Sequence, residues 1–210
     1  MKTDSSTSTG PRLAVPVTHL LYLHGFRSSP LSTKAQQMAH WVARHRPEVV
    51  WRCPQLPASP ASTLTMLRTL MSGWPAAGSA IVGSSLGGFY ATVLGEELAC
   101  RTLLINPAID PARGLASAVG STTMWHSAEP FEFRAEYVDE LRQMTPTDLF
   151  NLQQTWALIA KGDEVLDWRE MTARYPSARI TLLEGGDHAF SGFADHLPQI
   201  AEFFGWATMP

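Results

Sequence analysis

Cysteine, charge and long apolar runs are all scarce in this 210-residue sequence. The two cysteines, Cys53 and Cys100, lie far apart in sequence and beside apolar, strand-like runs. This usage favours buried free thiols over a disulfide framework and is typical of a reducing compartment. No run of about 18 apolar residues occurs, so no transmembrane helix is predicted. We therefore expect a cytoplasmic protein.

Charge of either sign is neither abundant nor clustered. Asp, Glu, Lys and Arg make up 17% of the chain, the net charge is -3, and no segment concentrates Lys or Arg. Nucleic acids and anionic membrane surfaces attract basic patches, so neither is a predicted partner.

Sequence motifs for metals and nucleotide cofactors are also missing. The chain has no H-E-x-x-H, no paired Cys/His spacing, no P-loop and no G-x-G-x-x-G. Their absence disfavours a metal-dependent hydrolase and a nucleotide-binding enzyme. We expect neither a metal nor another cofactor.

Apolar strand-like runs alternate along the chain with segments whose apolar residues recur at helical spacing. Continuous apolar strands are typical of a parallel sheet covered by helices on both faces, which predicts one α/β domain over residues 17–206. Residues 1–16 are rich in Ser and Thr and lack the apolar core of a signal peptide, so we expect a disordered tail there. The six predicted strands are 17–23, 49–53, 79–82, 101–105, 155–160 and 180–183.

The periodicity breaks down between residues 108 and 151, apart from a predicted helix at 133–144. An irregular insertion in an α/β domain predicts a small lid. Two interpretations of its apolar side chains stay open, an acyl pocket or packing within the lid, and packing is favoured. These side chains are Trp125, Phe131, Phe133 and Met144.

One stretch has the form of a strand, a sharp turn and a helix with a serine at the turn. It reads SAIVGSSLGGFYAT over residues 79–92. In a nucleophile elbow, G-x-S-x-G presents the serine hydroxyl above a parallel sheet, because small flanking residues let strand and helix approach closely. Ser85 is the candidate nucleophile. The structural alternative is that Gly83 and Gly87 merely shape the turn.

A serine hydroxyl needs a neighbouring base and a third group that orients the base. Sites in parallel α/β sheets form outside the carboxyl ends of the strands. Side chains directly after predicted strands are therefore candidates, namely His24, Ser85, Asn106, Asp163 and His188. The order Ser85, Asp163, His188 is the chain order of an α/β-hydrolase triad.

The segment GDEVLD contains three acidic residues, and two of them are candidates for the acid of the triad. Asp163 directly follows a strand and is favoured, whereas Asp167 is the alternative acid and would otherwise cap the next helix. Glu164 is interpreted as a solvated loop charge. Asp187, adjacent to His188, is interpreted as a turn residue.

The oxyanion formed by serine attack on a carbonyl needs preorganised N–H donors. We predict the backbone N–H of Leu86, after the nucleophile, and that of Phe26, after the first strand. His24 is interpreted as structural. Arg27 and Lys34, near this loop, are interpreted as solvated charges in preference to contacts for an acidic leaving group.

Six sequence blocks resemble the YqiA-like esterases, a small bacterial branch of the α/β-hydrolase superfamily. They span about residues 20 to 204 in the same order, and residues 112–151 do not align with them. The resemblance implies a compact hydrolase fold with a triad on Ser85, Asp163 and His188, no cofactor, and a small-molecule substrate that is a carboxylic ester or an acyl-CoA thioester. The blocks are LYLHGFRSSPLSTKA, CPQLPASPASTL, GSSLGGFYATVL, LLINPAIDP, GDEVLD and EGGDHAF.

Two alternatives to an esterase follow from the same residues. One is an acyl-CoA thioesterase, because one triad can run several acyl transfers. The other is a non-catalytic binding protein of hydrolase fold, which is disfavoured because the serine, the histidine and the glycine of the oxyanion loop are all present.

Overall fold

A computed structural model describes residues 15–125 and 127–206. The tail predicted for residues 1–16 lies outside these ranges except for its last two residues, and His126 also lies outside them. Within the described ranges, no helix is both long and apolar enough to cross a membrane.

The six predicted strands all form, and they pair in one sheet. The sheet order is β2-β1-β3-β4-β7-β8, and every neighbouring pair is parallel. A separate antiparallel hairpin consists of β5 and β6. The strands are β1 (His19–Leu23), β2 (Val50–Arg52), β3 (Ser79–Ser84), β4 (Arg101–Ile105), β5 (Gly120–Thr123), β6 (Pro130–Phe133), β7 (Thr155–Ala160) and β8 (Arg179–Leu183).

Helices connect the parallel strands and cover the sheet on both faces, as predicted. After β8, the chain forms a 3₁₀ turn at Phe193–His196, which leads directly into a short α-helix. The α-helices are α1 (Thr33–His45), α2 (Pro60–Met71), α3 (Leu86–Leu98), α4 (Pro111–Gly114), α5 (Ala135–Met144), α6 (Trp168–Arg174) and α7 (Leu197–Phe203).

Two apolar clusters lie on opposite faces of the sheet. Successive side chains of a strand point to opposite faces, so Leu21 of β1 packs with α2 and α3 while Leu20 packs with α1 and α7. All six residues of β3 and all six of β7 are buried. Burial on both faces explains why these strands are continuous apolar runs rather than alternating ones.

The predicted lid region contains more regular structure than its sequence indicated. It includes α4, the β5–β6 hairpin and α5. The hairpin was not predicted because β5 is four residues of Gly, Ser and Thr, mostly exposed, and carries no apolar alternation. The β6 strand does alternate, and its inward side chains Phe131 and Phe133 each pack edge-on against Phe26 with ring centroids 5.2 Å apart.

Close approach of α3 to the sheet explains the glycine at position 87. A Cβ atom there would lie 2.7 Å from the His24 carbonyl oxygen and closer still to that of Leu23. We expect Gly87→Ala to lower the stability by about 3 kcal/mol, because backbone atoms on both sides must move apart. For a domain of this size that is a fall in Tm of roughly 6–12 °C, measurable by thermal denaturation.

A control glycine isolates the effect of this clash. A Cβ atom at Gly114, on α4, would meet no atom within 4 Å. We therefore expect Gly114→Ala to leave the Tm unchanged or slightly higher. Equal Tm values for the two variants would contradict the close-packing account.

Candidate active site

Ser85 lies between β3 and α3 in a backbone conformation that few non-glycine residues adopt. Its φ is 56° and its ψ is -120°. Two hydrogen bonds from the β4–α4 turn hold it there. The Ser85 N–H donates to the Ile105 carbonyl at 3.0 Å, and the Ala108 N–H donates to the Ser85 carbonyl at 3.0 Å. The turn thus presents the hydroxyl at the carboxyl edge of the sheet, which is the geometry expected of a nucleophile elbow.

Other loops around Ser85 also contain non-glycine residues with a positive φ. Among the described residues, the non-glycine positions with positive φ are Arg27, Ser85, Ala99, Asn106 and Phe190. All but Ala99, which ends α3, lie in loops at the carboxyl edge of the sheet. Residues in such conformations cost roughly 1–3 kcal/mol each and cluster at functional sites.

The strain at Ser85 is measurable by comparing two substitutions that both remove the hydroxyl. Glycine accepts a positive φ without cost and alanine does not. We expect Ser85→Gly to be more stable than Ser85→Ala by about 1–2 kcal/mol in urea denaturation. At Ser62, on the exposed face of α2, the order should reverse, because glycine weakens a helix by about 1 kcal/mol relative to alanine. The same order at both positions would contradict strain at Ser85.

His188 lies between Ser85 and Asp163 and contacts both. Its Nε2 is 3.1 Å from the Ser85 Oγ, and its Nδ1 is 2.8 Å from the Asp163 Oδ2. The Asp163 side chain is fully buried, whereas that of His188 is 22% exposed. The other carboxylate oxygen of Asp163 accepts the N–H groups of Val165 and Leu166, both at 2.8 Å. The structure therefore brings together the three residues of the predicted triad.

The alternative acid, Asp167, caps a helix. Asp167 is the N-cap residue of α6, and its Oδ1 accepts the Arg169 N–H at 2.8 Å. Asp187 is a turn residue as interpreted. Its carboxylate accepts both the N–H and the hydroxyl of Ser191, and these hydrogen bonds lower the pKa of Asp187.

Glu164 is an exposed loop residue, as interpreted, but it also makes a structural contact. Its side chain is exposed, yet its Oε2 accepts the backbone N–H of His188 at 2.9 Å. The carboxylate therefore holds the loop that carries the imidazole. The sequence had no signal for this contact, because Glu164 and His188 are 24 residues apart and meet only when β7 and β8 pair.

The loop after β1 lies against Ser85 at its glycine. A Cβ atom at Gly25 would be in van der Waals contact with Ser85, 3.4 Å from its Cβ and 3.8 Å from its Oγ. Within the described chain, the N–H groups of Phe26 and Leu86, the predicted oxyanion donors, have no hydrogen-bond acceptor. Both remain available to a ligand.

His24 supports this loop from beneath, as its structural interpretation requires. The side chain is buried, its Nε2 accepts the Leu56 N–H at 3.1 Å, and its Nδ1 is 3.0 Å from the Gly25 carbonyl. A neutral imidazole with its proton on Nδ1 satisfies both contacts.

A cavity of about 500 Å³ opens above Ser85 and His188. One wall is apolar and comes from the oxyanion loop, the lid and the β7–α6 loop. The polar part of the lining comes from the β1–α1 loop and the start of α1. The apolar side chains are Phe26, Leu86, Ala108, Pro111, Leu115, Trp125, Val165 and Leu166, and the polar ones are Ser28, Ser32, Thr33 and Lys34.

The aromatic residues of the lid have two different roles: one lines the cavity, and two pack within the lid. Trp125 lines the cavity, and its indole N–H donates to the Phe26 carbonyl at 3.1 Å. Phe131 and Phe133 pack the lid against Phe26 instead. Arg27 is not simply a solvated charge, because its guanidinium lies 4.2 Å from the centre of the Trp125 ring and its Nε donates to the Thr123 carbonyl.

Lys34 is also more than a solvated charge. It lines the cavity, and its ammonium donates to the Ala189 carbonyl, next to His188. Burial lowers the pKa of Lys34 from 10.5 to about 8, and the negative charges of Asp187 and Asp163 offset part of this shift. The cavity wall therefore carries a positive charge that is easily lost above neutral pH.

The lowered pKa of Lys34 predicts how stability depends on pH. Between pH 8 and 10.5 the unfolded chain binds a proton that the folded protein has released, so folding becomes more favourable as pH rises. We expect the wild type to gain stability relative to Lys34→Met across this window in urea denaturation. A difference between the two proteins that stays constant with pH would contradict the shift.

The described residues contain no group of three or more His, Cys, Asp or Glu side chains that could hold a metal ion. Both cysteines are free thiols, and burial raises the pKa of each to about 12.

The sheet is parallel, a serine lies at the turn between β3 and α3, an acid follows β7 and a histidine follows β8. This arrangement defines a protein of the α/β-hydrolase fold. Solved structures agree with this class. A presumed hydrolase from Agrobacterium vitis S4 is 19% identical with a TM-score of 0.66, over 89% of this chain and 87% of that one. Est1E from Butyrivibrio proteoclasticus, with ferulic acid bound, is 10% identical with a TM-score of 0.65, over 90% and 88%.

A mammalian protein has the same fold. Alpha/beta hydrolase domain-containing protein 10 from mouse is 14% identical with a TM-score of 0.62, over 88% of this chain and 89% of that one. At these sequence identities, structural similarity shows that the fold is shared.

The model of the Uncharacterised protein family UPF0227 matches residues 19–205, so the chain belongs to that family. This match confirms the resemblance to the YqiA-like proteins that the sequence blocks indicated.

Proposed function

We propose that the protein is a serine hydrolase that cleaves carboxylic esters through an acyl-enzyme on Ser85. The observation that carries the proposal is the chain of contacts from Asp163 through His188 to Ser85, at 2.8 and 3.1 Å. A hydroxyl becomes a useful nucleophile when a base is within hydrogen-bond reach and a third group orients that base, and all three are in place here.

In the first half of the reaction His188 accepts the proton of the Ser85 hydroxyl, and the oxygen attacks the ester carbonyl. Asp163 holds the proton on the Nδ1 of His188 and stabilises the imidazolium. The N–H groups of Leu86 and Phe26 bind the oxyanion. As the intermediate collapses, the bond to the alcohol oxygen breaks and His188 returns its proton to the leaving alcohol.

In the second half, water replaces the alcohol. His188 takes a proton from the water molecule, its oxygen attacks the acyl-enzyme carbonyl, and the same N–H groups hold the second oxyanion. Collapse breaks the bond to the Ser85 Oγ, and the serine regains its proton from His188. The acid is released and the enzyme returns to its starting state without a cofactor.

The cavity supports a small-molecule acyl substrate. Its apolar wall suits a hydrocarbon acyl chain, and its volume of about 500 Å³ lies within the range of small-molecule sites. A second candidate activity is thioester hydrolysis, with acyl-CoA as the substrate class. Lys34 favours it, because a cation on the polar wall suits a leaving group that carries negative charge.

A direct test of the proposal uses a fluorophosphonate, which phosphonylates only an activated serine. We expect one adduct, on the peptide that contains Ser85, together with turnover of short p-nitrophenyl esters. Oxygen esters and thioesters of one acyl length then separate the two candidate activities. A folded protein that leaves Ser85 unlabelled would refute the triad, and labelling without turnover of either substrate class would refute the proposed activity.

A further inference from the structure

Asn106 is a candidate site residue at the carboxyl edge of the sheet, and the proposed mechanism does not use it. It directly follows β4, its φ is 41°, and its side chain is fully buried. Burying an amide is unfavourable unless its hydrogen-bonding groups find partners, so the contacts of this side chain define its role.

The amide of Asn106 joins the strand that precedes the acid to the loop that carries the base. Its Oδ1 accepts the Ala160 N–H, at the end of β7, at 2.9 Å. Its Nδ2 donates to the Asp187 carbonyl at 3.0 Å and to the His188 carbonyl at 3.4 Å. The main chain adds to this connection, because the Asn106 N–H donates to the Leu158 carbonyl at 3.0 Å.

The partners of the Asn106 side chain are backbone groups, and a backbone group is either a hydrogen-bond donor or an acceptor but never both. One partner is an N–H donor and the other two are carbonyl acceptors, so the side chain must present an acceptor on one side and a donor on the other. An amide has both, whereas an ionised carboxylate has acceptors only and an aliphatic side chain has neither.

The turn that carries Asn106 also holds the nucleophile. The Ile105 carbonyl accepts the Ser85 N–H, and the Ala108 N–H donates to the Ser85 carbonyl. Asp163 is close to the other end of the connection, because its N–H donates to the Ala160 carbonyl at 3.2 Å. The β4–α4 turn is therefore bonded to the segments that carry all three residues of the proposed triad.

We propose that Asn106 is a positioning residue that holds His188 in register with Ser85 and Asp163. The inference rests on the proposed ester hydrolysis. It predicts that loss of the Nδ2 donor lets the backbone of the Asp187–His188 segment shift, which lengthens the Nε2 to Oγ approach without altering the acyl cavity. A change of this kind slows the chemical step and leaves substrate binding intact.

The test compares Asn106→Asp with the wild type in ester turnover. The substitution preserves size and the Oδ1 acceptor, and it replaces the donor with an acceptor that faces two carbonyls. We expect kcat to fall by about 10- to 100-fold with little change in KM. A displacement of a catalytic group by about 1 Å can lower the reaction rate about 100-fold. The rate of fluorophosphonate labelling at Ser85 should fall in parallel.

Asn151 provides a matched control. It is also buried, and its Nδ2 donates to the Cys100 carbonyl at 2.7 Å, away from the site. Asn151→Asp should therefore lose stability in the same manner as Asn106→Asp, while its kcat stays near that of the wild type. If Asn106→Asp does not fold, Asn106→Ala and Asn151→Ala supply the same comparison, because each removes the whole amide without adding charge.

The outcomes separate the inference from the function on which it rests. Wild-type protein without turnover or labelling would refute the proposed function. The positioning role would be overturned if the wild type is active and the folded Asn106 variant keeps its kcat. It would also be overturned if the fall in kcat is no larger for the Asn106 variant than for the Asn151 variant. A rise in KM with unchanged kcat would overturn it as well, because it would mean that Asn106 shapes the cavity instead.

Discussion

Replacement of Ser85 by alanine is expected to lower ester turnover by about 10⁴- to 10⁶-fold, the loss seen when the nucleophile of a serine hydrolase is removed. The reason is that Leu86, Phe26 and His188 remain in place but no covalent intermediate can form. The measurement is steady-state hydrolysis of a short p-nitrophenyl ester, together with fluorophosphonate labelling, which should disappear.

The control for this variant is Ser62→Ala. It removes an exposed hydroxyl on α2 that does not line the cavity, and it should retain full turnover. Circular dichroism should show native secondary structure in both variants, because within the described residues the Ser85 Oγ hydrogen-bonds only to His188. Residual turnover within about tenfold of the wild type in folded Ser85→Ala would exclude the acyl-enzyme on this serine.

Replacement of Asp163 by asparagine is expected to reduce kcat by about 10⁴-fold. Asparagine preserves the Oδ1 that accepts the Val165 and Leu166 N–H groups, so the loop should keep its shape. Its amide would present a donor to the Nδ1 of His188, which favours the tautomer with the proton on Nε2. That tautomer cannot accept the proton of Ser85.

Asp167→Asn is the matched control, because it removes the same charge four residues after Asp163. Asparagine is as good an N-cap as aspartate, so α6 and the turnover should both be close to wild type. The ratio of the two kcat values is the decisive quantity. Equal and mild losses in the two variants would mean that neither carboxylate orients His188.

Much of the fold could be predicted because burial leaves a simple signature in a parallel sheet. Strands that are covered on both faces, such as β3 and β7, are continuous apolar runs, and their positions followed directly. The short β5 strand has no such signature, since its pairing with β6 depends on Phe131 and Phe133 packing against Phe26. The lid hairpin was therefore missed.

The candidate site was predictable to the extent that its residues follow strands. Ser85, Asp163 and His188 each come soon after a strand of the parallel sheet, and parallel strands deliver such residues to one edge. The contacts of Glu164 and Lys34 were not predicted because their partners are backbone groups of the His188 loop. Backbone groups are present at every position, so no sequence pattern identifies them as partners.

The sequence by itself determined the α/β class, the order of the strands along the chain and the residue types available for acyl transfer, because each depends on local periodicity or on a motif. Tertiary structure alone decided that Asp163 rather than Asp167 contacts His188, that Asn106 joins the two loops, and that the lid leaves a cavity over Ser85. These features depend on distances of about 3 Å between residues far apart in the chain, and only the packing of the sheet brings such residues together.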